Sequence, residues 1–372
     1  MKATLKYFSL LSVTTLLLAG CGGGGGSSPA APQPGALEAG GSGIAVDQVI
    51  DGTGATVTAN FSTALDINDN LDVIGVAEVT AGSPFSAALW TVDAAGAAAV
   101  APMALVPLVD NGFTAAFAID ENGTPVGQAD DGTRLVAVRW PNGSGAPIEL
   151  PQLAAAGNYA AYAVSADGTL IAGAAVDATG ITRAVVWRAD GNGDFVAAPL
   201  ALPVNIFANG AALSPFNAAN GIARVGAAEI LVVGEAEAGN GTLHAALWRS
   251  VDGGGIYAPI DLGASHIAYA VNSARQVVGE NEDTLAPVSW SVSDQGVAAA
   301  PVALAAAGSA VAINDNGRIA GWSGTPDLAT VWNGTTPATL FTTVSQANGL
   351  NNDVQPLVVG RNGSAGFIKR AN

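Results

Sequence analysis

One phrase of sequence is written seven times along this chain, and a chain of that kind has few folds open to it. Its clearest copy is Val311 to Trp332, VAINDNGRIAGWSGTPDLATVW: an apolar run, an Asn-Asp-Asn-Gly turn, a second run ending at Gly321, a loop, then Ala329-Thr330-Val331-Trp332. Five other copies end at Trp90, Trp140, Trp187, Trp248 and Trp290, and a truncated last copy, NGLNNDVQPLVVG…AGFI, ends at Ile368. Equivalent glycines of these copies lie 39 to 61 residues apart. Repetition at such a period belongs to a solenoid or a propeller, because one unit cannot bury its apolar face alone and stacked neighbours can. A linear solenoid needs a more regular period than this, so a ring is expected.

Each copy reads as four strands, A to D. In the copy quoted, Ala310 to Ile313 is strand A, Arg318 to Gly321 strand B and Ala329 to Trp332 strand C. A fourth apolar run follows, such as APIELPQL or APVALAAA, and its proline suits an outermost edge strand. Asn316-Gly317, Asn122-Gly123 and Asp167-Gly168 supply the positive φ of a tight A–B hairpin. The Trp brings a large apolar area to the contact between neighbouring sheets, and the Ala three residues before it lets sheets approach closely. The expected fold class is therefore all-β: a seven-bladed β-propeller of four-stranded antiparallel blades. The last copy stops after strand C, while Gly54 to Asn60, GATVTAN, alternates like a strand with no other place. Docking it as the missing D strand would close the last blade with an N-terminal strand.

The chain divides into residues 1–20, a signal peptide; 21–43, a Gly/Ser/Pro/Ala-rich tether; and 44–372, a single propeller domain. Lys2 and Lys6 flank the start of a short apolar stretch from Tyr7 to Ala19, the layout of a secretory signal. Its exit, Leu18-Ala19-Gly20-Cys21, resembles the lipobox of bacterial lipoproteins. That resemblance implies cleavage before Cys21 and diacylglyceryl attachment to its sulfur, which makes Cys21 the lipidation site and a membrane its first partner. Gly22, rather than Asp, after the cysteine implies delivery to the outer membrane of a Gram-negative bacterium, with periplasmic and surface-facing placements both open. Cys21 is the only cysteine, so no disulfide within the chain and no Cys-based metal site can form.

Once residues 1–20 are removed, Lys369 and ten arginines face thirty acidic residues, a formal charge of −19. Such a surface repels nucleic acid and anionic headgroups, so a nucleic-acid partner is excluded. His244 stands in a strand C place held elsewhere by Ser86, Val136 and Arg183, and His266 in a D–A connection, so neither has the neighbours of a metal site or a catalytic triad. Asp190, Asn192 and Asp194 imitate the start of a calcium loop, but Ala201 stands where its bidentate Glu belongs. A polar C–D turn is the competing reading, and no other cofactor is implied.

The motif His244-Ala245-Ala246-Leu247-Trp248, with an NxxGxVVG-type run upstream, resembles the bacterial extracellular HAF-repeat family, named for His-Ala-Phe in strand C. Only one copy has the His, and Ala246, Ala88 or Val138 replaces the Phe. The resemblance implies an exported β-propeller and brings no agreed activity or catalytic residues. For the working surface, the B–C loops collect acid, and the residue after each strand B glycine holds one equivalent place per blade. These are Val76, Gln128, Ala174, Glu235, Glu280, Trp322 and Arg361. Blades four to seven thus present Glu235, Glu280, Trp322 and Arg361 side by side, an aromatic beside charges of both signs, as in a binding hot spot or sugar platform. The first expectation is an outer-membrane-anchored lipoprotein whose propeller is a rigid binding or scaffolding surface for a protein or glycan. The alternatives are a hydrolase acting on polysaccharide through acidic loop residues, and a purely structural envelope component.

Overall fold

The computed structural model describes residues 44–45, 48–50, 56–92, 103–143, 145–154, 157–200, 216–238 and 241–371. The expected signal peptide and tether, with Cys21, lie outside these residues. Seven four-stranded antiparallel sheets follow one another around a ring. The innermost A strands are Phe61–Ile67, Thr114–Ile119, Tyr159–Val164, Asn217–Arg224, His266–Val271, Gly308–Ile313 and Ser345–Leu350. The B strands are Asp72–Glu78, Pro125–Asp130, Leu170–Val176, Ile230–Glu237, Gln276–Asn281, Arg318–Ser323 and Leu357–Asn362. The C strands are Ser86–Thr91, Leu135–Arg139, Thr182–Ala189, Leu243–Ser250, Ala286–Ser291, Leu328–Asn333 and Ala365–Arg370. The outer D strands range from seven residues at Ala258–Ala264 down to two at Met103–Ala104, Ile148–Glu149 and Val302–Ala303. A–B and C–D turns emerge on one face of the ring, the turn face; B–C loops and D–A connections emerge on the other, the loop face.

The strand B glycine is fixed by close approach. A Cβ on Gly75, Gly127, Gly173, Gly234, Gly279, Gly321 or Gly360 would collide with the carbonyl oxygen of an inner-strand residue of the same blade. At the same level every inner strand carries a β-bulge, for example between Ala64 and Asp66 and between Ala268 and Ala270. Each bulge frees one extra residue from the ladder and re-aims it. Those residues, Leu65, Phe117, Tyr162, Asn220, Tyr269, Val311 and Asn348, converge on the central channel. What they leave is a cavity of about 140 Å³, room for a few waters.

The six strand C tryptophans are 0–2% exposed. Burial of an indole N–H calls for an acceptor; for Trp140, Trp187 and Trp290 the preceding blade supplies one, whereas the buried Trp332 Nε1 has no partner among the described residues. Trp140 donates to Val106 O at 2.9 Å, Trp187 to Pro151 O at 2.7 Å and Trp290 to Leu262 O at 3.2 Å. Blade seven has no tryptophan, and its register is instructive. Gly360 pairs with Phe367 as Gly75 pairs with Ala88, so the residue equivalent to Trp90 is Lys369, one place beyond Ile368. Lys369 Nζ donates to Leu340 O of blade six at 2.7 Å and lies 4.7 Å from the centre of the Phe341 ring. An ammonium on a long apolar stem thus does the indole's work. Lys369→Met keeps the stem and removes the donor, and is expected to cost about 1 kcal/mol, read as a lower urea midpoint with unchanged slope. An unmoved midpoint would show that the Leu340 carbonyl does not depend on the lysine.

The N-terminal strand that closes blade seven is Ile44–Ala45, not Gly54–Asn60. Ile44 pairs with Ile368 and Ala45 with Phe367. Thr56–Thr58 alternates as expected, but its partner is Gln48–Ile50 in a two-stranded hairpin. The hairpin still serves closure: Gln48 O accepts the Trp90 indole at 2.8 Å, as the preceding blade does for Trp140, Trp187 and Trp290. Between blades seven and one, Asn348 Nδ2 bonds Ala64 O at 2.8 Å and Gly366 N bonds Ser62 Oγ at 2.8 Å.

On the turn face the repeated Asn/Asp residues do two jobs. Asn314 Oδ1 caps its own turn through Asn316 N and Arg318 N, while its Nδ2 reaches Asn351 O in the next blade at 2.9 Å. Asn68 and Asn272 reach Asp120 O and Asn314 O likewise, and Asn352 N meets Asp69 Oδ1 across the closure. Gly123, Gly168 and Gly317 have the positive φ expected, 71 to 75°. Leu71 and Arg275 hold the same place at φ 68 and 62° without being glycine. Blade four lacks the motif, and ion pairs replace it: Arg224 with Asp167 at 2.7 Å, and Glu229 with Arg275 at 2.5 Å. In this ring Glu121 Oε2 accepts Asp69 N, and burial, with Asp69, Asp66 and Asp120 nearby, pushes its carboxyl up to about 6. A folded pKa above the ordinary value means that ionisation costs stability as pH rises through about 6, and that the cost is absent below the ordinary 4.5. Glu121→Gln is expected to raise the melting midpoint at pH 7.5 while changing little at pH 4. A lower midpoint at pH 7.5 would contradict this.

Candidate binding site

Glu235, Glu280, Trp322 and Arg361 pair in register with Ala218, Ile267, Ser309 and Gln346, so they do occupy one equivalent place in four successive blades. That place is one pleat below the rim of the loop face, and its side chain turns toward the next blade. Gln128 shows the direction plainly, with Nε2 on Tyr159 O at 3.2 Å. The consequence is burial. Glu235 is fully enclosed, Glu280 and Arg361 are 8% and 9% exposed, and only Trp322 is half-buried.

Three of the four gather around Tyr269. Glu280 faces the hydroxyls of Tyr269 and of Ser309 in blade six; burial raises its carboxyl, and those two neighbours pull partly the other way. Burial, then Glu280 and Glu235, hold the Tyr269 phenol far above its usual range. Burial and Glu235 do the same to Tyr162, the equivalent tyrosine two blades back. Trp322 and Phe216 each pack against the apolar cluster formed by Leu243, Ile267, Tyr269 and Val311. Arg361 stands apart. Its Nη1 bonds Gly363 O at 2.7 Å, its guanidinium lies 5.9 Å from the centre of the Phe61 ring of blade one, and burial lowers its pKa. Gln346 links it to Asp327 at 3.0 Å. Beside the channel-lining Tyr269 and Val311 there is therefore an aromatic and carboxyl cluster, with Trp322 as the part that meets solvent. Tyr269, Tyr162 and Ser309 were not singled out from sequence, although the recurring Tyr-Ala-Val before two A–B turns was the available signal.

Most B–C acids shape their own loops. Asp131 bonds Thr133 and Arg134, which holds its carboxyl down at about 2, and Asp177 bonds Thr179 and Arg183 to the same effect. Glu78 accepts from Asn60 and Gly82 N. Asp283 remains exposed on the blade-five loop. The loops run from two residues, 363–364, to seven, 79–85.

Asp190 Oδ1 accepts Asn192 N at 2.7 Å and Asp194 N at 3.0 Å, so this carboxylate closes a C–D turn on its own backbone. Among the described residues no three His, Cys, Asp or Glu side chains gather as metal ligands. His244 Nδ1 faces Asp261 at 3.1 Å, while His266 bonds Ala264 O through Nδ1 and Asn281 through Nε2. Each histidine is committed within its own part of the ring.

No family model matches the chain, and no curated protein matches it. Solved structures do. The chain is similar to YCF48 bound to D1 peptide, with a TM-score of 0.52, 10% identity, and coverage of 93% of this chain and 99% of that one. It is similar to the β-propeller domain of the Trilobed protease from Pyrococcus furiosus, described as having an open velcro topology, at TM-score 0.50, 8% identity, and 84% and 98% coverage. Hadza microbial sialidase Hz136 matches at TM-score 0.45 and 9% identity; the match covers 84% of this chain and 65% of the sialidase. At these identities the likeness is one of fold, and the chain is a seven-bladed β-propeller.

Proposed function

We propose that this is an outer-membrane lipoprotein of the HAF-repeat kind, anchored through Cys21, whose propeller presents its loop face to a protein or glycan partner. The observation that carries the reading is the difference between the two faces. On the turn face, backbone and Asn/Asp groups are bonded from blade to blade around much of the ring. The loop face instead holds loops of unequal length, with Trp322, Tyr269 and Glu280 clustered below them beside the channel. Function tends to sit on such loops when a rigid scaffold positions them, and a half-buried tryptophan backed by polar groups has the make-up of a hot spot. The similar ring of YCF48 is described with a bound peptide, which is in keeping with polypeptide recognition by this fold.

The test is direct binding by the purified propeller, with thermal unfolding measured alongside. Trp322→Ala is expected to lower affinity for the partner or glycan at least tenfold, and Glu280→Gln severalfold, by releasing Tyr269. Full binding by both folded variants would move the site elsewhere.

A further inference from the structure

We propose that the turn face is the side that lies against the lipid surface, so that the loop face is directed away from it. This rests on the reading that Cys21 carries the anchor. Two independent observations lead to it.

The first is chain direction. Strand Ala365–Arg370 runs from the loop face to the turn face, and Ile44–Ala45 pairs with it antiparallel, Ile44 opposite Ile368 and Ala45 opposite Phe367. The chain therefore enters blade seven from the turn face, beside Arg370. Residues 22–43 separate Cys21 from this entry point. For the loop face to meet the bilayer, that segment would first have to climb the outer edge of the ring, about 20 Å for strands of six or seven residues.

The second is apolar exposure. Six large apolar side chains among the described residues are exposed by 60% or more: Val196, Val251, Ile256, Leu285, Val297 and Val354. Four of them project from the turn face. Val251 and Ile256 belong to the C–D turn of blade four and Val297 to that of blade five, while Val354 sits in the A–B turn of blade seven. Arg249 Nη2 bonds Asp294 O at 2.6 Å and so holds the turns of blades four and five together. Isolated exposed valines are ordinary, but a pair of adjoined turns tipped by Val251, Ile256 and Val297 is a patch. The cations around it are held by acids, and Asp252 is turned onto its own loop. Glu229 takes Arg249 and Arg275, Asp252 accepts Gly255 N and Ile256 N, and Arg370 meets Asp353. With no free cationic cluster among the described residues to seek anionic headgroups, the surface that suits this face is zwitterionic lipid touched by apolar tips.

The experiment uses the full lipidated chain in phosphatidylcholine vesicles. Ile256→Cys and Leu285→Cys each add a thiol on opposite faces, and it is the only free one because the Cys21 sulfur is occupied. Both are labelled with one fluorophore and quenched by lipid bearing a nitroxide headgroup, with flotation measured in parallel. The expected result is quenching at position 256 several times that at 285. Flotation with equal or reversed quenching would overturn the orientation alone. If Cys21→Ser floats as well as the parent chain, the anchoring reading fails and takes the orientation with it.

Discussion

Deleting residues 44–50 is expected to lower the unfolding midpoint by about 10 °C, although seven residues are a small part of the ring. The deletion unpairs the outer side of strand Ala365–Arg370, removes the buried Val49 from its apolar cluster, and leaves the Trp90 indole without the Gln48 carbonyl. Burying a valine contributes about 1.5–3 kcal/mol, and an orphaned buried donor costs about 1–3 kcal/mol. Together with the lost ladder that is about 4 kcal/mol, and each kcal/mol moves the midpoint of a large domain by about 2–4 °C. Deleting residues 22–43 instead is expected to leave the midpoint where it is. If the 44–50 deletion leaves it unmoved as well, the ring is not closed by this segment.

Gly234→Ala is expected to have the largest effect of any single substitution, about 4 kcal/mol or outright failure to fold. Its added methyl would collide with the carbonyl oxygen of Ala218, with Ala219 Cα close behind, and both are backbone atoms of the inner strand. Neither can move without opening the ladder beside a bulge that also sets the channel lining. Gly226→Ala is the control, because nothing lies within 4 Å of a Cβ there. Its expected change is within about 0.5 kcal/mol. Equal urea midpoints for the two variants would show that close approach is not what fixes the strand B glycine.

The same glycine explains how far the fold was legible beforehand. Turn chemistry and the strand C tryptophan are local and repeat, so Asn316-Gly317 and Trp332 announced blades, and strands A, B and C of that copy fell within a residue or two of where they lie. A two-residue strand such as Ile44–Ala45 has no periodicity to read, whereas GATVTAN has one and still pairs elsewhere. Lys369 was hidden because Phe367-Ile368 imitates the Leu-Trp ending of other copies; only the pairing of Gly360 with Phe367 reveals the true equivalence.

The site was legible in register but not in depth. Position after the glycine identified Glu235, Glu280, Trp322 and Arg361 as equivalent, yet nothing local says whether a strand's last pleat clears the rim. Burial of Glu235 follows from its packing between neighbouring inner strands, a long-range property. The bulge that brings Tyr162 and Tyr269 inward breaks the period-two pattern on which strand reading depends.

The central claim, that the loop face does the recognising, is tested most directly by photo-crosslinking in intact cells. A photoreactive phenylalanine analogue replaces Leu285 on the loop face in one strain and Ile256 on the turn face in another, both side chains well exposed. The account predicts a discrete macromolecular adduct from position 285, lost when Trp322→Ala is added, and none from position 256. A discrete adduct from 256 alone, indifferent to Trp322→Ala, would contradict it.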